Sequence, residues 1–304
     1  MSAPEEAHRP GAAGQPEAPG HPGGSGQPEA SGRASERDAL DLLDDFGFEA
    51  AAIVVGPEGV RVARGDLDLE RTWRSVTKML TGYACGAALD RGIVSLDDAA
   101  GPEGSTLRHL LAHASGFFYD SDGVLMAPGR RRHYSNYGID EAGRHVERAL
   151  GRDFGDWVAE QVLEPLGMDR VRWTGSPSVG AFGPIADLAL FAGELLRPTL
   201  LSPETFAAVT TVQLGELVGI MPGFGKQEPN PFGLGFEVRG AKSPHWTGGR
   251  NDPATFGHFG MQGTALWVDP SARLALVVGT AHEFCDAHRE VLPRLSDAVL
   301  AQHA

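Results

Sequence analysis

A chain of 304 residues with 41% hydrophobic and 22% charged side chains can bury a sizeable core, which excludes collagen, a coiled coil or wholesale disorder. Its formal charge of −14 repels phosphate backbones, and Arg130-Arg131-Arg132 is too short a basic run to offset it, so no nucleic-acid partner is expected. No run of about 18 apolar residues predicts a membrane span, the acidic start Met1–Glu6 lacks the apolar stretch of a secretory signal, and two cysteines two hundred positions apart, Cys85 and Cys285, make no disulfide framework. A reducing, cytoplasmic setting is the expectation.

Residues 1–36 are rich in Pro, Gly, Ala and Glu, and Gly-Gln-Pro-Glu-Ala recurs at 14–18 and 26–30. With almost nothing apolar larger than alanine, this segment is expected to be a disordered tail, leaving 37–304 as the folded domain. Leu40, Leu42, Leu43 and Phe46 predict a short amphipathic helix capped by Ser35. Ala51–Val55 and Val60–Ala63, joined by Gly-Pro-Glu-Gly, predict a hairpin. A helix follows from Ser75 to Gly92, then helices over 106–113, 136–150, 153–165, 184–197 and 202–211, each punctuated by Gly or Pro. Strands return at 232–239, 254–259, 263–268 and 272–280, and a helix closes the chain over 285–302. Strands at both ends with helices between predict an α+β fold. One antiparallel sheet is flanked by the N- and C-terminal helices, the inserted helices form an all-helical lobe, and the active site lies in the cleft between.

Three clusters carry chemistry. Lysine occurs only at 78, 226 and 242, and Lys78 follows Ser75 by three positions, one turn along the same helix face. An amine there can take the serine proton, and the apolar stretch after it, Met79 to Ala87, predicts burial and a lowered amine pKa. By chance about 0.16 such Ser-x-x-Lys pairs are expected, so alone the spacing is only suggestive. Tyr134-Ser135-Asn136 is rarer, with about 0.04 expected by chance. It offers a helix cap, or a phenol to relay a proton and an amide to hold a carbonyl. Gly257-His258-Phe259-Gly260-Met261-Gln262-Gly263 would let a substrate approach a strand edge.

In that order, Ser75-x-x-Lys78, Tyr134-x-Asn136 and His258-x-Gly260 resemble the three motifs of the serine β-lactamase, penicillin-binding protein and DD-peptidase superfamily, in the form of the class C β-lactamase, DD-peptidase and esterase branch. Ser95-Leu96-Asp97-Asp98, Leu107 to Gly116, Pro165-Leu166-Gly167-Met168 and Leu201-Ser202-Pro203-Glu204 extend the resemblance over about residues 50 to 302. The resemblance implies an acyl-enzyme hydrolase acting on a small ester, amide or β-lactam, with no cofactor. Ser75 would be acylated and Lys78 would assist its deprotonation. Tyr134 would pass a proton to the leaving group, and Asn136 would hold the acyl side chain. His258 would contact the leaving group or a substrate carboxylate, and the N–H groups of Ser75 and Met261, beside Gly260, would form the oxyanion hole. Histidine stands where β-lactamases usually have lysine, which implies esters over β-lactams. As an imidazolium below about pH 6.5, His258 would also lower KM for carboxylate substrates on acidification. A domain that acylates and then stalls, as a penicilloyl-binding sensor, and an acyltransferase of secondary metabolism are the alternatives.

No Gly-x-Ser-x-Gly elbow surrounds any serine, against an α/β-hydrolase. His282, Cys285 and His288 are spaced like metal ligands, but no His-Glu-x-x-His pattern accompanies them, and no metal is expected. His109 and His113 are expected to support the cleft rather than bind a ligand. Trp246, in Pro244-His245-Trp246-Thr247-Gly248, is a candidate substrate platform.

Overall fold

The structure, a computed structural model, describes residues 38–304; the expected tail and Ser35 lie outside the described residues. Ala50–Gly56 (β1), Gly59–Arg64 (β2), Glu237–Val238 (β3), Phe256–Phe259 (β4), Thr264–Asp269 (β5) and Leu274–Thr280 (β6) form one antiparallel sheet in the order β2-β1-β6-β5-β4-β3. The chain's first strand pairs with its last, Ala51 opposite Gly279 and Ile53 opposite Val277. The insertion therefore leaves from and returns to one sheet; it is not all helical as expected, since Arg71–Thr72, Ala181–Gly183 and Arg172–Trp173 pair in one small sheet and Arg132–His133, Gly219–Met221 and Gly225–Gln227 in another.

Side chains alternate across that sheet, and both faces are covered, which is why its central strands read as unbroken apolar runs. Val54, Trp267, Leu276 and Val278 meet Leu40 and Leu43 of the 3₁₀ helix Ala39–Phe46 and Leu295 and Val299 of the last helix, Asp286–His303. Ile53, Leu266 and Val277 belong to the core that also takes in the buried helix Thr77–Asp90 (α1) and Ile185–Leu196. Each such side chain, fully buried, contributes about 1.5–3 kcal/mol. In α1 every residue from Thr77 to Ala88 is buried. A helix buried on all sides can carry no amphipathic stripe. Asn136–Leu150 (α2) and Phe154–Val158 pack beside α1, with Leu107–Leu111 against α2.

Several elements differ from the sequence reading. The first helix is capped by Asp38, whose side chain accepts from the Leu40 N–H at 2.9 Å. The helix expected over 106–113 ends at Leu111, because His113 takes a left-handed φ of 54° and Gly116 one of 89°. Over 153–165 the helix widens into a π-turn at Ala159–Leu163. The strand expected over 232–239 is only Glu237–Val238, because Gly235 turns with a φ of 78° and lies against α1. A side chain at Gly235 would collide with the Lys78 carbonyl. That close approach helps fix α1 beneath the site.

Candidate active site

Ser75 lies in a single 3₁₀ turn, Arg74–Val76, that runs straight into α1. Arg74 before it has a φ of 49°, a left-handed conformation a non-glycine residue adopts only under constraint. One turn on, Lys78 is fully buried, with Nζ 3.3 Å from Ser75 Oγ, 2.7 Å from Asn136 Oδ1 and 2.9 Å from the Ser178 carbonyl oxygen. Asn136 opens α2, and its own Nδ2 donates to Asp120 at 2.9 Å. Asp140, one turn further along α2, accepts from the Ser178 N–H at 2.8 Å and so sets the loop carbonyl that Lys78 meets.

The electrostatics follow from this enclosure. Burial lowers the Lys78 amine to about 7, while Asp140 and then Asp120 pull it back up. Two of its three partners can only accept, so a neutral amine spends two N–H groups on them and turns its lone pair to the third, the Ser75 hydroxyl.

Tyr134 lies across the site, its ring 4.9 Å from Lys78 Nζ and its Oη 3.4 Å from His258 Nε2. Burial raises its phenol far above the usual value, a hydrogen bond with Ser75 opposing, so it is a neutral proton donor. His258 Nδ1 lies 2.8 Å from the Phe259 carbonyl, which can only accept; the N–H is therefore on Nδ1, and Nε2 accepts from Tyr134. Burial, with Lys78 nearby, lowers the His258 pKa to about 4. The imidazolium expected just below neutral pH does not form: a fully enclosed ring beside an amine cannot readily hold a second charge.

His113 supports Tyr134 from behind, its ring 4.4 Å away and its Nδ1 accepting from the Ser135 N–H at 3.2 Å. The Met261 carbonyl accepts from the Phe284 N–H at 3.0 Å, which anchors the peptide at the end of β4.

Gly260 is buried, and a side chain there would strike the Trp73 carbonyl, so the glycine lets the chain after β4 pack on the turn that carries Ser75. One of the expected binding residues sits elsewhere. Trp246 is 1% exposed in the core on the far face of the sheet, where it packs on Phe259 and donates from Nε1 to Glu237 at 2.8 Å. It is not a cleft platform, because the indole is needed to satisfy a buried carboxylate. That carboxylate also accepts from Lys242 at 2.7 Å and lies 2.8 Å from His245 Nε2. Burial would raise the Glu237 pKa, but Lys242 and His245 hold it well below the usual range. Cys285 and His288 form the capping box of the last helix.

The sequence reading did not name Ser178, Asp120, Asp140 or Glu237. Asp140 had a signal, four residues after Asn136 on one helix face. Ser178 had none, since it contributes a backbone carbonyl from a loop.

Two spaces open on Ser75. One is the narrower and mostly apolar, with Tyr119, Tyr134, Phe232 and His258 in its lining. The other, about 900 Å³, is open and polar, with Asn136, Asp120, Asp140, Ser178 and Arg74.

The Beta-lactamase family model matches residues 72–298. A β-lactamase from Mycobacterium bovis is 50% identical, with a TM-score of 0.85 over 87% of this chain and 99% of that one. Simvastatin synthase from Aspergillus terreus, 18% identical, has a TM-score of 0.72 over 88% of this chain and 99% of that one. EstCE1, a hydrolase with promiscuous acyltransferase activity, is also 18% identical, with a TM-score of 0.69 over 86% of this chain and 96% of that one. A search of curated protein sequences finds no match. No described helix is long and apolar enough to cross a membrane. On the extent of the family match and the shared half of the residues with the mycobacterial protein, the chain belongs to the β-lactamase family.

Proposed function

We propose that this chain is a serine hydrolase that cleaves small uncharged esters through an acyl-enzyme on Ser75. The observation that carries the reading is the Lys78 amine, buried, held at about 7 and 3.3 Å from Ser75 Oγ. A base with a pKa near the working pH is available unprotonated and still accepts a proton well.

As Ser75 Oγ attacks the carbonyl carbon, its proton passes to Lys78 Nζ. The oxyanion gathers the N–H groups of Ser75 and Met261, each such donor worth about 2.7–4 kcal/mol. When the carbonyl–oxygen bond to the leaving group breaks, Tyr134 donates its proton to the departing oxygen. Lys78, beside the phenol, returns the proton it took. Water then enters from the open polar side and repeats the sequence in reverse roles, with Asn136 holding the acyl group.

His258 orients the Tyr134 hydroxyl and supplies no positive charge, which supports esters over β-lactams whose carboxylate wants a cation. The two thiols, Cys85 buried and Cys285 half-buried, are free, which suits a cytoplasmic setting. Water reaches the acylated serine from the open side, which favours turnover over a stalled sensor.

Kinetics on p-nitrophenyl butyrate test the reading. Ser75→Ala and Lys78→Met should each lower kcat by orders of magnitude with little change in Tm. Activity retained in either would refute it.

A further inference from the structure

We propose that the narrow, mostly apolar chamber on the Tyr134 side of Ser75 is a leaving-group pocket for an uncharged, apolar alcohol or amine, and that it turns away leaving groups bearing a carboxylate. This rests on the acyl-enzyme reading and adds which half of the substrate must be apolar.

The direction follows from proton supply. A departing oxygen or nitrogen must meet a proton donor; Tyr134 lines this chamber and not the open cleft, and its hydroxyl lies 3.4 Å from His258 Nε2, which belongs to the same lining. Asn136 and Ser178 line the open cleft instead. The group attached to the departing atom therefore enters the chamber, and the acyl group occupies the open side.

The walls are Met221, Pro222, Phe232, Phe259, Met261 and the Tyr119 ring. Besides Ser75 and Tyr134, the polar residues of the lining are Tyr119, His258 and Glu237. The His258 Nδ1–H is spent on the Phe259 carbonyl and its Nε2 faces Tyr134. Glu237 is anionic, and its counter-charge does not reach the chamber. Lys242 Nζ is fully buried behind the Phe232 ring, 4.7 Å from its centroid, donating to Glu237 Oε1 and the Pro231 carbonyl. The lining thus offers an anion and no free cation. A carboxylate brought here would lose its hydration without gaining a charged partner. An aryl or alkyl group would exchange water for apolar walls. The guanidinium near Ser75, that of Arg74, lines the open cleft and is on the wrong side to help.

Phenyl acetate and para-carboxyphenyl acetate test this on the full chain. They deliver the same acetyl group, and the para-carboxylate is no poorer a leaving group. The rate of Ser75 acetylation near neutral pH is followed by rapid quench and mass spectrometry, each rate divided by that ester's hydroxide rate. The phenyl ester should acetylate Ser75 at least about tenfold faster. Pro222→Arg, which sets a guanidinium at the chamber's edge, should narrow that ratio severalfold. Equal rates for the two esters in the wild-type protein overturn the proposal while leaving the acyl-enzyme intact. A ratio unmoved in a folded Pro222→Arg protein also overturns it, since the leaving group is then elsewhere. Acetylation of Ser75 by neither ester overturns the acyl-enzyme reading and this inference with it.

Discussion

Replacing Asp120 with asparagine should move the acid limb of the pH profile of kcat/KM to lower pH. Burial lowers the Lys78 amine to about 7, and Asp120 is one of two carboxylates that oppose the fall. Asp120 reaches Lys78 through Asn136, by hydrogen bonds of 2.9 and 2.7 Å on the two ends of one amide. The charges are thus roughly 7 Å apart. Asp120 is exposed, so an effective dielectric of about 40–80 applies and the interaction is about 0.6–1.2 kcal/mol. That is about 0.4–0.9 pH units. The sign is fixed: removing a negative charge disfavours the ammonium, the amine pKa falls, and the free base is populated at lower pH. Asparagine keeps an oxygen for the Asn136 Nδ2, so the geometry persists. The assay is kcat/KM for an uncharged ester from about pH 5 to pH 9, in wild type and Asp120→Asn, at low and high salt. The wild-type limb should lie near 7 and drift down with salt as screening weakens Asp120. A limb that stays put or moves up in Asp120→Asn would refute Lys78 as the titrating base.

Hydrolysis of p-nitrophenyl butyrate should exceed that of a chromogenic cephalosporin in kcat/KM, and the reverse order would defeat the ester preference. Because the His258 pKa is lowered to about 4, KM for a carboxylate-bearing substrate should stay flat from about pH 6 to pH 5, below the Lys78 limb. A marked fall in KM over that range would mean that the ring is charged there after all. Trp246→Phe strips a buried donor from Glu237 and should cost about 1–3 kcal/mol in denaturant unfolding; an unchanged midpoint would show that the bond contributes nothing. A chain beginning near Ser35 should keep its Tm and kcat, since all three motifs lie beyond residue 70, and a large loss of either would show that residues 1–36 take part.

Much of the fold was legible because its strongest signals are local. Alanine and valine runs such as Ala51–Val55 announce a strand, and the Ser75–Lys78 spacing on one helix face announces the 3.3 Å contact between hydroxyl and amine. Less legible was whatever depends on burial contributed by distant segments. Histidine 258 reads as a titrating residue until the chamber around it excludes the charge. An indole beside Pro244 and His245 reads as a platform until the fold turns it under the sheet towards Glu237. Likewise, the short helix Leu107–Leu111 is cut where His113 must swing beneath Tyr134, a demand that comes from a residue twenty-one positions away.

The central claim is that Ser75 forms the covalent bond, and mass spectrometry of the intact and digested chain after brief exposure to a fluorophosphonate tests it most directly. One adduct should form, on the peptide containing Ser75, absent in Ser75→Ala and formed much more slowly in Lys78→Met. An adduct on another residue, or labelling of Ser75→Ala at the wild-type rate, would contradict it.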